Sequence, residues 1–244
     1  MHRFYFPKPA IPNNLIIVED NNEAHHIRDV LRLKPGEPVI IFDDEGREYT
    51  CVIDKVSRNI TLAIKSMAHQ KKGKKMRLTI ACAIPKKSKM SDIIDKLTQL
   101  GVDEIIPLMT ERVIVRVDEK KKGALLLRWQ RIAQSASEQS KRRSLPLINR
   151  IEEIRNLITH SSAYDLRIIP ALFGERKNLK EVLSESKAKN ILALIGPEGD
   201  FTVEEVRLAI KHGFISVTLG EEVLRVETAA VAVASFVRLY YEDH

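Results

Sequence analysis

From residue 77 onward the chain alternates short apolar runs with segments of helical spacing, and this pattern constrains the fold more than any other feature. Residues 77–84, 104–109, 165–172, 190–195 and 215–219 are apolar runs of strand length. Such near-continuous runs suit strands buried on both faces of a sheet. Between them Met90, Ile93, Ile94, Leu97 and Leu100 recur at helical spacing, with Gly101 placed to end the helix. Leu125, Leu126, Trp129, Ile132, Ala133 and Ala136 mark a longer helical face, on which Trp129 reads as core. Further helices are predicted over 151–160, 179–186, 203–212 and 228–241. Strand and helix in alternation predict an α/β domain with a mostly parallel sheet covered on both faces.

The first 70 residues follow another rule. Strands are expected at 14–18 and 38–42, and Tyr49, Cys51 and Ile53 alternate, as do Ile60, Leu62 and Ile64. One helix is signalled by Asp20 as a cap and by Ala24, Ile27, Val30 and Leu31, with Lys34-Pro35-Gly36 as its stop. Short strands with turn punctuation suggest a small β-barrel. The expected organisation is therefore a β-rich domain over 1–70, a basic linker over 71–76 and an α/β domain over 77–244.

Charge narrows the function classes. The net charge is +7, but residues 1–70 carry −1, residues 71–150 carry +12 and residues 151–244 carry −4. The cations cluster at Lys71–Lys75, at Lys86, Lys87 and Lys89, at Lys120–Lys122 and at Lys141-Arg142-Arg143. Clusters of this kind neutralise phosphates and release counterions, although solvated helix faces carry them too. Cys51 and Cys82 are the two cysteines, which excludes a disulfide framework and a four-cysteine zinc site. The histidines show no metal-ligand spacing, the apolar runs are too short to span a membrane, and no signal-like apolar core opens the chain. The expectation is a soluble cytoplasmic protein that needs no metal.

Ligands of open α/β sheets bind at the carboxyl ends of the strands. Three loops qualify: 171–175, containing Leu172 and Gly174; 195–202, with Gly196-Pro197-Glu198-Gly199-Asp200; and 219–228, with Leu219-Gly220 and Val223-Leu224-Arg225. In the second, Thr202 and Glu205 form a capping box for the next helix. Neither phosphate-loop nor dinucleotide glycine spacing is present.

These residues resemble the signature of the SPOUT-class methyltransferases. More narrowly, they resemble the RsmE family, which methylates N3 of a uridine in 16S ribosomal RNA of the small subunit. The resemblance is carried by Gly196-Pro197-Glu198-Gly199 and by Leu219-Gly220 with Leu224-Arg225-Val226-Glu227-Thr228-Ala229. It extends to His2-Arg3-Phe4-Tyr5, to His26 through Leu33, to Pro85-Lys86 and Glu111-Arg112, and to Glu138-Gln139-Ser140 with Arg143. It implies a PUA-like RNA-binding barrel at the N-terminus and a C-terminal α/β domain closed by a trefoil knot. It also implies S-adenosyl-L-methionine as cofactor and a homodimer formed by knot-region helices. The cofactor would be held by Leu172, Gly174, Gly196, Pro197, Glu198, Gly199, Leu219, Gly220, Val223 and Leu224. RNA would be contacted by His2, Arg3, His26, Arg28, Arg32, Lys86, Lys89, Arg112, Arg142 and Arg143. The chain departs from the family pattern at Gln99, Val113 and Asp200.

Methylation of an imide nitrogen needs a proton acceptor or stabilisation of the resulting anion. Arg225, the lone cation in an acidic loop, is the first candidate, with an ion pair to Glu222 or Glu227 as its structural alternative. Glu138 is a second catalytic candidate, with helix capping or surface pairing as its alternative. His25 and His26 read as surface, and Tyr240 and Tyr241 as packing. The competing functional readings are a catalytically silent RNA-binding or ribosome-assembly protein and a knotted methyltransferase with another RNA target.

Overall fold

The computed structural model describes residues 1–57, 59–69, 76–86, 89–113 and 118–242. The basic run at 71–75 and Lys87 lie outside the described residues. The chain forms two compact units, one of residues 1–73 with 137–145 and one of residues 74–136 with 146–244.

In the first unit, β1 (His2–Tyr5), β2 (Leu15–Val18), β3 (Pro38–Phe42), β4 (Arg47–Val56) and β5 (Ile60–His69) form one sheet in the order β1-β3-β4-β5-β2. β1 runs parallel to β3 and the other neighbours are antiparallel. Register shifts in β4 after Thr50 and Ile53 bend the long β4–β5 ribbon, so the sheet curls into a half-barrel open between β1 and β2. The alternation Tyr49, Cys51, Ile53 points inward, and all three are buried with Ile60 and Leu62. The helix α1 (Asn21–His25) starts where Asp20 Oδ1 accepts from the amides of Asn22 and Glu23. It continues as a π-helical turn over His26–Val30. Arg32 turns left-handed at φ +53, so the helix stops short of the expected Lys34-Pro35-Gly36.

The second unit comprises β6 (Arg77–Ala83), α2 (Lys89–Gln99), β7 (Glu104–Met109), α3 (Glu119–Gln139), β8 (Leu147–Ile148), β9 (Glu152–Glu153) and α4 (Ile154–Thr159). It continues with β10 (Leu166–Pro170), β11 (Lys177–Asn178), α5 (Leu179–Ser184), β12 (Asn190–Ile195), α6 (Val203–Lys211), β13 (Ile215–Thr218) and α7 (Val226–Glu242). The last residues of α3 belong to the first unit. Every strand pair here is parallel, in the order β11-β13-β10-β12-β6-β7-β8, with β9 also on β7. The two-residue strands β8, β9 and β11 are too short to leave a periodic signal.

Period-2 geometry explains the unbroken apolar runs. Leu78, Ile80 and Cys82 of β6, with Ile191, Ala193 and Ile195 of β12, face one core along with α2, α7 and Trp129 of α3. Ala81, Leu192 and Leu194 face the other, against α4 and α6. After α2, Gly101 at φ +79 permits the Val102 amide to bond Leu97 O, which closes the helix end. α7 buries Ala230, Val233, Ala234 and Val237, while Phe236 and Leu239 remain exposed on its other side. No helix among the described residues is long and apolar enough to cross a membrane.

Candidate active site

The chain passes from β10 to β12 on one side and then over β10 to β13 on the other. This reversal opens a crevice at the carboxyl ends of the three strands. Their following loops line one cleft. Of the ten residues expected to hold a cofactor, eight line it: Leu172, Gly196, Pro197, Glu198, Leu219, Gly220, Val223 and Leu224. Gly174 and Gly199 do not. Gly174 turns its loop at φ +80, and the Cα of Gly199 faces Arg112 instead.

Two glycines explain the shape. Gly220 sits at φ +128, a region open to glycine and strained for other residues. A Cβ on Gly196 would lie 3.2 Å from the Phe201 ring, which is fully buried, so a side chain there would crowd both ring and cleft.

Side chains tie the loops down from behind. Glu205 is completely buried; its Oε2 accepts from the Thr202 amide at 2.8 Å and its Oε1 from the Glu111 amide at 2.9 Å. The expected capping box thus also holds the 110–113 segment. Arg112 donates to Gly199 O at 2.6 Å, so this residue, expected at RNA, braces the second loop. Glu198 Oε1 accepts from the Lys86 amide at 2.9 Å, leaving the Lys86 side chain exposed. Asp200 Oδ2 accepts from the Leu172 amide at 2.9 Å, joining first and second loops.

Glu198, Asp200 and Glu222 contribute carboxylates to the lining and Arg176 a guanidinium that donates to Ala171 O at 3.3 Å. An acidic lining of this kind favours a cationic ligand group. Arg176, Pro170, Val217 and Thr218 line the cleft without having been marked in the sequence as site residues. They carry no motif and reach the cleft only because three distant strands are neighbours.

Arg225 lies between two lining residues, Leu224 and Val226, and is exposed. The close ion pair considered for it does not form, although its charge acts on Glu227. Glu227 instead bonds Lys89 Nζ at 2.7 Å, which holds the Glu227 carboxyl below its usual range. Lys89, also expected at RNA, is thereby engaged at the start of α7. The Arg225 guanidinium makes no hydrogen bond or close ion pair among the described residues, and its charge, after that of Lys89, helps to hold the Glu227 carboxyl low. Cys82, beneath this region, is fully buried; burial foremost, then the charges of Glu198 and Glu227, pushes its thiol far up, so it stays protonated.

The other candidate, Glu138, belongs to the first unit, where its Oε1 accepts from the Tyr5 amide at 3.1 Å. Around it Arg3, with a side chain 7% exposed, donates to Glu48 at 2.8 Å and to Arg142 O at 3.2 Å and lies over the Phe42 ring. Arg142 also donates to Ser144 O, and Arg143 Nε stands 3.7 Å from Glu48. Arg28 is paired with Asp29, and His26 packs edge-on to Phe4. His2 and Arg32 are exposed. Of the departures from the family pattern, Gln99 bonds Asp95 within its own helix and Val113 is buried. No group of three or more metal-ligating side chains occurs among the described residues.

The fold and cleft can be set beside known proteins. Residues 72–238 match the family model of the RNA methyltransferase domain, and residues 19–64 match that of the RNA methyltransferase PUA domain. Ribosomal RNA small subunit methyltransferase E of Mesomycoplasma hyopneumoniae is 30% identical over 95% of this chain and 96% of its own. A methyltransferase of Legionella pneumophila, solved with its cofactor S-adenosylmethionine bound, superposes with a TM-score of 0.87 at 29% identity, covering 97% and 96% of the two chains. Ribosomal RNA small subunit methyltransferase E of Neisseria gonorrhoeae, bound to S-adenosylmethionine, gives 0.86 at 28% identity over 98% and 97%. The chain belongs to the ribosomal RNA small subunit methyltransferase E family.

Proposed function

We propose that this protein methylates N3 of a uridine in 16S ribosomal RNA of the small subunit, with S-adenosylmethionine held in the cleft at the ends of β10, β12 and β13. The observation that carries the reading is the convergence of three glycine-containing loops on one acidic-lined cleft, with the exposed Arg225 in the third loop. The cleft suits the cofactor in charge: the carboxylates of Glu198, Asp200 and Glu222 favour a sulfonium and an ammonium.

When bound, S-adenosylmethionine supplies an electrophilic methyl group. Leu172, Gly196, Leu219 and Leu224 offer main-chain donors and acceptors that orient its nucleoside portion. The N3–H bond of the uridine breaks with its proton passing to solvent, and the N3 electron pair forms the new N–C bond as the S–C bond breaks. Arg225 stabilises the negative charge that N3 shares with the flanking carbonyl oxygens as the proton leaves. Holding nucleophile and methyl in line supplies much of the remaining rate. Residues 1–70 serve as the RNA-binding domain, with His2 and Arg32 open to phosphate, and Lys86 adds a cation from the second unit. The exposed Phe236 and Leu239 suit α7 to a homodimer through the knot-region helices. The protein works in the cytoplasm, where the small subunit is assembled.

The test is transfer from labelled S-adenosylmethionine to small ribosomal subunits from a strain lacking the enzyme, followed by nucleoside analysis. A single 3-methyluridine supports the reading. Cofactor binding without transfer redirects it to another RNA, and the absence of both leaves a silent RNA-binding protein.

A further inference from the structure

Asp200 closes the turn after β12, its amide donating to Pro197 O at 2.9 Å, with φ at +60. That is left-handed backbone, which glycine adopts freely and which side chains other than Asn and Asp rarely occupy. Non-glycine residues persist there when their surroundings hold them. Here the holding bond reaches 28 residues back along the chain, from the Asp200 carboxylate to the Leu172 amide in the loop after β10. The other oxygen, Oδ1, stands 3.3 Å from where a Cβ of Gly196 would be. One side chain therefore lies beside Gly196 of the second loop, in space that a side chain there would need, while gripping the first, and both loops line the cleft.

We propose that Asp200 is a positioning residue for the cofactor site, a latch that preorganises the Leu172 loop against the Gly196 loop before the cofactor binds. The proposal rests on the cleft being the S-adenosylmethionine site. A glycine at this position relieves the backbone and loses the latch. An asparagine keeps both the tolerance of left-handed backbone and an acceptor oxygen for Leu172, and loses only the charge.

The experiment compares the full-length protein with D200G and D200N by amide hydrogen exchange, calorimetric titration with S-adenosylmethionine, thermal unfolding and methyl transfer. D200G is expected to exchange the Leu172 amide about tenfold faster and to bind S-adenosylmethionine about tenfold more weakly. Its KM for the cofactor rises accordingly, while kcat at saturation changes less and Tm holds or rises as the backbone strain is relieved. D200N is expected to keep Leu172 exchange within about threefold of the parent, because its amide oxygen still accepts, and to lose less affinity than D200G, since it gives up the charge but not the latch. Unchanged Leu172 exchange in D200G overturns the latch, as does a D200N protein as impaired as D200G. If the parent protein binds no cofactor, the proposed function fails, and the exchange comparison still decides the latch.

Discussion

The polar residues of the first unit and those around the cleft were drawn from the same motif-rich sequence, yet they end in opposite states. In the first unit Arg3, Glu48, Glu138, Arg142 and Arg143 answer one another or the backbone. At the ends of β10, β12 and β13, internal bonds lie behind the loops, and the Arg225 guanidinium stands exposed without a hydrogen bond among the described residues. A polar group bonded inside the fold is committed to it, whereas an exposed one beside a cleft is open to a ligand. The comparison teaches that motif membership does not say which residues are already engaged, whereas hydrogen-bond accounting does.

That contrast can be broken most directly at Glu205, the strongest of the supports. Glu205→Ala leaves the Thr202 and Glu111 amides without their acceptor and should cost about 3 kcal/mol, lowering Tm by roughly 6–12 °C in thermal unfolding. An unchanged Tm would show that the loops do not depend on this carboxylate. Arg225→Ala should leave S-adenosylmethionine affinity within a few-fold and reduce turnover by at least ~100-fold, about 2.7 kcal/mol. Unchanged turnover removes Arg225 from the mechanism. Glu138→Gln, whose amide oxygen can still accept from Tyr5, should keep turnover within about threefold. A loss as large as that of Arg225→Ala would return Glu138 to the catalytic machinery.

The smallest effect is expected at the Lys89–Glu227 pair. Because Lys89 lowers the Glu227 carboxyl in the folded state, the pair stabilises the protein above the ordinary carboxyl range. That contribution is lost as pH falls through the lowered value. Both groups are partly exposed, so Lys89→Met should cost well under about 1 kcal/mol at neutral pH and nothing in strong acid. Denaturant unfolding of the two proteins across pH reads the difference, and a gap that widened in acid would reverse the assigned sign.

Local interactions made much of the molecule legible in advance. Continuous apolar runs marked β6 and β12, helical spacing placed α2 and α6, and Thr202 with Glu205 announced the start of α6. Gly196 and Gly220 flagged the cleft because their backbone roles are local. Sequence could not say that Arg3, Glu138 and Arg112 are engaged inside the fold, since each bonds partners 45 to 139 residues away. Nor could it find Arg176 or the bond from Asp200 to Leu172, for the same reason.

By itself, then, the sequence determined the class of fold and pointed to three loops at strand ends, because strand and helix periods, caps and glycine turns act over a few residues. Tertiary structure alone decided which charges were cancelled and which were left open. That outcome depends on strand order, which brings β13 beside β10 and carries residues from distant loops to a single cleft.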